Sequence, residues 1–305
     1  MNFLKIKVIT RELGLEKVVL DCDTSKLCSI GAGGRSAALI IIDDKEKLLP
    51  FMEALEKNGI KYFILGGGTN IFFGSGPMEY VLIKLGRSFK NIKIDPERKI
   101  EAGAGAGTAN LVKKAAKNGF DLAFLAGIPG TIGGAIYGNS GTGGQWICSK
   151  IGTIKYIYKN GKQISLARCS GKEIKSGYRY FELQGLVVII SVILEPEYDD
   201  PRVLLSKISH DIDRRRSSQP IGLKTAGCFF KNPNNMDKSA GSLIEGCGLK
   251  SFSYGGARVS PIHANFIENF NDASSEDIVV LSKIIKSKVK ERYGIGLEYE
   301  VKLIG

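Results

Sequence analysis

The chain has 305 residues, enough at about 150 residues per domain for two domains, or one large domain with a small partner. Its 43% hydrophobic and 24% charged residues exclude a disordered or collagen-like chain, and its 38 glycines, about 12%, exceed the usual ~7%. Forty-three Lys and Arg against 31 Asp and Glu leave a net charge of +12, which favours phosphate-bearing small molecules, nucleic acid or an acidic membrane surface.

From Met1 to Asp21 charge is mixed with apolar residues, without the apolar run or cleavage site of a signal peptide. Ala37–Ile42 predicts a buried strand. Asp43 or Asp44 can cap a helix to about Asn58, stopped by Gly59, with Leu48, Met52 and Leu55 inward and Pro50 near its first turn. Tyr62–Leu65 reads as a short strand and Tyr80–Leu85 as another. Gly103–Gly107 leads into a helix from Thr108 to Asn118, ended by Gly119. Ile151–Ser165 predicts a hairpin turning on Asn160-Gly161. Leu186–Leu194 is apolar but only about half a bilayer span, so it reads as a strand. Pro201 opens a helix with Leu204, Leu205, Ile208 and Ile212 at helical spacing, ending at Arg214–Arg216. Ser239 caps a short helix through Glu245. Ser274 and Asp277 predict a capping box for a helix striped by Ile278, Leu281, Ile285 and Val289 and stopped by Gly294. A final strand is expected over Leu297–Leu303.

Chemistry concentrates in a few strings. Gly66-Gly67-Gly68-Thr69-Asn70 follows a strand and offers unhindered backbone N–H groups, a nest suited to pyrophosphate or else a plain glycine turn. Gly127-Ile128-Pro129-Gly130-Thr131-Ile132-Gly133-Gly134-Ala135 is too rich in glycine for an ordinary strand or helix. With Tyr137, Asn139 and Gly141 it makes a surface on which a flat ligand can lie. Two such strings point to a dinucleotide held without a Rossmann fingerprint; packing of crossing loops is the bland alternative. Cys228 follows Gly227 in a third string, and a thiol with a usual pKa near 8.5 is mainly protonated at neutral pH and can donate a proton. Lys231 and Asn232 suit an anionic substrate or the surface. By itself Arg179 reads as an ion-pair partner and Glu300 as a solvent-facing strand residue. Six cysteines without a C-x-x-C pair, and two histidines, argue against a zinc site and for free thiols in a reducing cytoplasm.

In order, the strings LGGGTNIFF, LAGIPGTIGGAIYGNSG, SGYRYF, RRRSSQP, AGCFFKNP, SAGSLIEGCGLK, GGARVSPIHANFIEN and EYEVKLIG resemble the UDP-N-acetylenolpyruvoylglucosamine reductase family, in its shorter form, from about Gly31 to Gly305. The resemblance implies an α+β fold: a two-subdomain FAD-binding module of the vanillyl-alcohol oxidase type over residues 1–196, with subdomains about 22–86 and 87–196, then an α+β substrate domain over 197–305. It implies non-covalent FAD, NADPH as reductant, and reduction of UDP-N-acetylglucosamine enolpyruvate to UDP-N-acetylmuramate in the cytoplasm, with no nucleic-acid or membrane partner. Carried over by motif, Gly66, Gly67, Gly68, Thr69, Asn70, Gly127, Ile128, Pro129, Gly130, Thr131, Gly133, Gly134 and Ala135 would hold the flavin. Arg179 and Glu300 would meet the substrate carboxylate, Cys228 would donate the proton, and Tyr178, Lys231 and Asn232 would bind substrate.

The chain departs from the family's pattern in two ways. Most members carry serine where Cys228 stands, and Cys28-Ser29-Ile30-Gly31-Ala32-Gly33-Gly34 looks one residue longer than the usual Thr-Ile-Gly-Gly, which leaves the flavin contacts there open. A sugar or alcohol oxidase of the same flavin fold is the runner-up. Neither histidine lies in the flavin strings, which counts against a covalent flavin link of that kind. A basic nucleotide- or nucleic-acid-binding module explains the charge but not the ordered motifs.

Overall fold

A computed structural model describes residues 3–95, 99–161, 163–233 and 238–305. Its contacts divide the chain into two compact units that do not follow a single cut: 1–21, 37–67 and 79–213 in one, 22–36, 68–78 and 214–305 in the other. Helices and strands are mixed in both, as the α+β expectation requires.

The first unit opens with α1 (Phe3–Glu12), whose Ile6 and Ile9 are buried and which the sequence had not declared. A four-stranded sheet orders Lys17–Asp23, Arg35–Ile42, Pro77–Leu85 and Tyr62–Ile64, and the last two run parallel. Asp44 caps a short 3-10 turn, and α2 (Leu48–Lys57) begins only after it, with Pro50 in its first turn, where a missing N–H costs nothing. Leu48, Phe51, Met52 and Leu55 are buried, and Gly59 takes φ +63 just past the helix end. The second sheet orders Ile92–Ile94, Ile100–Gly103, Leu186–Leu194, Ile151–Asn160 and Gln163–Ser170. Against its apolar face pack α3 (Thr108–Lys117) and α4 (Ile132–Tyr137), with Leu111, Ile132, Ile136, Ile154 and Val192 in one core.

Several expectations need correction. The helix α4 contains Gly133 and Gly134, so that string does include helix: Thr131 caps it, and packing against the 103–107 loop outweighs glycine's poor propensity. Asn160 pairs with Gln163, so Asn160 ends its strand and the hairpin turns later, at Gly161 with φ +57. In α5 (Pro201–Ser218) only Leu204 is fully buried, and Leu205 stays exposed, so the apolar face is narrower than its spacing implied.

In the second unit a four-stranded sheet orders Thr225–Cys228, Phe266–Asn269, Ala257–Val259 and Ser253–Tyr254. Ser239 caps α6 (Ala240–Gly246), and α7 (Ser275–Tyr293) carries the expected capping box and a fully buried Ile278–Leu281–Ile285–Val289 stripe. The closing strand is shorter than expected: only Lys302–Ile304 is strand, paired in parallel with Ile71–Phe73.

Candidate active site

In the first unit the two glycine strings meet. A Cβ added at Gly67 would lie 2.6 Å from the Gly130 Cα, and one at Gly66 would lie 2.8 Å from the Thr131 hydroxyl. The strings therefore approach backbone to backbone, which side chains would prevent. Thr131 Oγ1 accepts a hydrogen bond from the Gly134 N–H at 3.3 Å, while Thr108 Oγ1 donates to the Ile128 carbonyl at 2.6 Å. Gly67, Gly127, Pro129 and Gly134 remain exposed, an open face almost without side chains. Two members of the string face inward: Ala135 is buried in the core, and Gly133 packs on Ala104 while donating to its carbonyl at 2.8 Å.

Arg179 belongs to the same unit. Lys175–Gly177 and Tyr180–Glu182 pair as a hairpin whose turn is Tyr178-Arg179, and Arg179 adopts φ +51, a conformation L residues rarely take. Its guanidinium donates to the carbonyls of Asn139 and Gly141, each at 3.4 Å, and its Cζ lies 5.5 Å from the Tyr178 ring. The half-buried fork is thus held near the chain that leaves α4.

Within the second unit the remaining residues converge. A Cβ at Gly68 would overlap the Leu27 carbonyl oxygen, and the Gly68 carbonyl accepts from the Ser29 N–H at 2.8 Å. Gly227, with φ +81, turns its Cβ position toward the Thr69 carbonyl at 3.9 Å, one residue before half-buried Cys228. The Asn70 carboxamide donates to the Glu300 carbonyl at 3.2 Å, and the Asn70 carbonyl accepts from Lys302 N at 3.1 Å. The Glu300 N–H donates to the Phe229 carbonyl at 3.0 Å, and Lys231 N to the Glu298 carbonyl at 2.8 Å. Glu300 therefore runs beside the residue that follows Cys228. The Lys231 ammonium lies 3.4 Å from the exposed Glu298 carboxylate, and the Asn232 carboxamide oxygen accepts from Ala240 N at 3.0 Å, at the start of α6. Both have local structural partners besides any ligand.

A model described as FAD binding domain matches residues 36–167, and one described as UDP-N-acetylenolpyruvoylglucosamine reductase, C-terminal domain, matches residues 219–304. The reductase of Geotalea uraniireducens is 33% identical over 278 residues, spanning 91% of this chain and 90% of that protein. The chain belongs to the UDP-N-acetylenolpyruvoylglucosamine reductase family. The Bacillus licheniformis reductase is 31% identical, over 97% of this chain and 96% of its own. A solved reductase from Thermus caldophilus superposes with a TM-score of 0.77 at 27% identity, covering 95% of this chain and 98% of that one. The enzyme is accordingly a FAD-dependent oxidoreductase of peptidoglycan precursor synthesis that reduces UDP-N-acetylglucosamine enolpyruvate with NADPH.

The residues of this reductase fit a flavin dinucleotide. Gly67, Gly127 and Gly134 leave an exposed face free of side chains, on which a flat ring system can lie, and the Gly68 and Asn70 carbonyls are held by the Ser29 and Lys302 N–H groups. Cys28 and Cys148 are buried thiols. Burial pushes Cys148 up to about 12 and also raises Cys28, so both stay protonated and inert. His263 is held below its ordinary value, chiefly by burial, and its Nδ1 accepts from Asn265 N at 3.2 Å. It is a satisfied structural histidine, and His210 is exposed on α5.

Two residues have a site-building role that the sequence did not show. Asn265 grips both backbone groups of Phe230, accepting from N at 3.0 Å and donating to O at 2.8 Å, which fixes the chain just after Cys228. Asn139 is the other: expected on the open surface with Tyr137 and Gly141, it is instead buried, at 2% exposure. Polarity and a neighbouring glycine were the only signals for it, and neither distinguishes a buried clamp from a loop residue.

Proposed function

We propose that Arg179, Cys228 and Glu300 carry out the family's reduction in this chain. Arg179 binds the enolpyruvyl carboxylate with its planar fork, offsetting the negative charge that develops next to it. FAD bound there would supply the two-electron chemistry that links NADPH to the terminal enol carbon. Cys228 then gives its thiol proton to the carbon beside the carboxylate and recovers a proton from solvent. Hydride and proton together saturate the double bond, so atoms and electrons balance. Glu300 serves the carboxylate end in its protonated form or tied to the arginine, since a bare carboxylate would repel the charge that develops there.

The observation that supports this most is the hydrogen bond from Glu300 N to the Phe229 carbonyl, which sets Glu300 alongside the Cys228 segment. Gly66–Asn70 and Gly127–Ala135 carry the flavin, with Gly133 and Ala135 supporting from beneath; Tyr178, Lys231 and Asn232 contact substrate. By chain segment, residues 1–196 serve the flavin and 197–305 the substrate, with 22–36 and 68–78 folding in the C-terminal unit. The +12 charge serves capture of the diphosphate and carboxylate groups of the ligands rather than nucleic acid. The reaction is assigned to the cytoplasm, with NADPH as reductant; no described helix is long and apolar enough to cross a membrane.

Steady-state NADPH oxidation with and without UDP-N-acetylglucosamine enolpyruvate tests the activity. Oxidation that ignores the acceptor would overturn it.

A further inference from the structure

We infer that Asn139 is a positioning residue for Arg179, locking the turn that carries the guanidinium to the end of the glycine-rich segment. Asn139 is 2% exposed although polar, and its φ of +40 is strained for a residue with a side chain. Its Nδ2 donates to the Gly177 carbonyl at 2.7 Å, two residues before Arg179. Its Oδ1 accepts from Cys148 N at 3.1 Å, and its own carbonyl accepts from Arg179 Nη1 at 3.4 Å. One residue thus holds the hairpin strand, the guanidinium and a third segment at once. It lies two residues past α4, whose N-cap Thr131 belongs to the flavin string. The Tyr137 and Phe181 rings, 6.3 Å apart, tie the same helix to the same hairpin.

A buried carboxamide with both ends engaged has no alternative rotamer that keeps both bonds. Loss of its Nδ2 frees the Gly177 carbonyl and with it the Tyr178-Arg179 turn. Arginine's two-pronged contact depends on orientation more than on charge, and a shift near 1 Å at a catalytic group can cost about a hundredfold.

This role rests on the assignment of Arg179 to the substrate carboxylate. The test uses FAD-loaded enzyme reduced with dithionite and mixed in stopped flow with UDP-N-acetylglucosamine enolpyruvate. Asn139→Asp keeps the acceptor for Cys148 N but sets a carboxylate against the Gly177 carbonyl. It is expected to slow flavin reoxidation about 10- to 100-fold, mostly through a raised substrate half-saturation. Its flavin spectrum and its rate of reduction by NADPH stay within about twofold of wild type. Arg179→Ala is slow in the same assay, and the double variant is no slower than Arg179→Ala. If Asn139→Asp fails to fold, Asn139→Gly, which suits φ +40, carries the test with the same expectation. Wild-type reoxidation with a slow Arg179→Ala overturns the role of Asn139. So does equal damage to both half-reactions, or a double variant whose losses multiply. A wild-type rate for Arg179→Ala instead overturns the carboxylate assignment, and the positioning role falls with it.

Discussion

Gly68→Ala isolates the cost of close backbone approach in the flavin string. Gly68 sits at φ +69, and a methyl group there would overlap the Leu27 carbonyl oxygen and stand 3.0 Å from the Cys28 Cα. Gly59, at φ +63, has nothing within 4 Å of its Cβ position and serves as the control. The left-handed backbone costs an alanine about 1–2 kcal/mol in either variant. Overpacking against unyielding backbone adds about 1–3 kcal/mol at Gly68 alone. The expected destabilisation is therefore about 2–5 kcal/mol for Gly68→Ala and about 1–2 kcal/mol for Gly59→Ala. Urea unfolding of apoprotein followed by circular dichroism measures both. If the loop relieves the overlap by moving, the hydrogen bond from Ser29 N to the Gly68 carbonyl, 2.8 Å long, is lost and the Gly68–Asn70 backbone shifts. Flavin affinity then falls about tenfold for each 1.4 kcal/mol forfeited. Equal losses in the two variants would refute the close approach. A large loss of stability with unchanged flavin affinity would make Gly68 a packing glycine and remove it from the cofactor contacts.

Cys228→Ala should slow flavin reoxidation by substrate about 10²–10⁴-fold and leave reduction by NADPH nearly intact, with Cys228→Ser retaining substantial activity; equal slowing of both half-reactions in stopped flow would sink the donor role. Arg179→Lys should be severe despite the retained charge, and Glu300→Gln milder than Glu300→Ala, with the Arg179→Lys/Glu300→Ala pair far less than multiplicative; steady-state kinetics that match wild type would leave both as ordinary surface residues. Protonation of His263 opposes folding, because burial holds its folded value below the unfolded 6.5. Stability should therefore fall as pH drops through the region below about 6.5, more steeply in wild type than in His263→Gln; parallel melting-temperature profiles would refute this.

Local chemistry was legible in the sequence. Ser274 with Asp277, the apolar stripe of α7, and Gly59 and Gly119 as helix stops act through neighbours a few residues away, and they appear where the sequence put them. Family membership was legible for a related reason: eight short strings in fixed order carry information that no single one does. What the sequence left open depends on partners far along the chain. Whether Gly133 meets solvent or Ala104, and whether a string of four glycines can hold a helical turn, is decided by the loop it packs on. Only the fold brings Asn70 to Glu300 across 230 positions, because parallel pairing of Lys302–Ile304 with Ile71–Phe73 sets that register. Nothing local marks Asn139, expected on an open surface, or Asn265 as clamps until burial deprives them of water. Their amides must then be satisfied by distant backbone, and that requirement turns them into the clamps that orient Arg179 and the chain after Cys228.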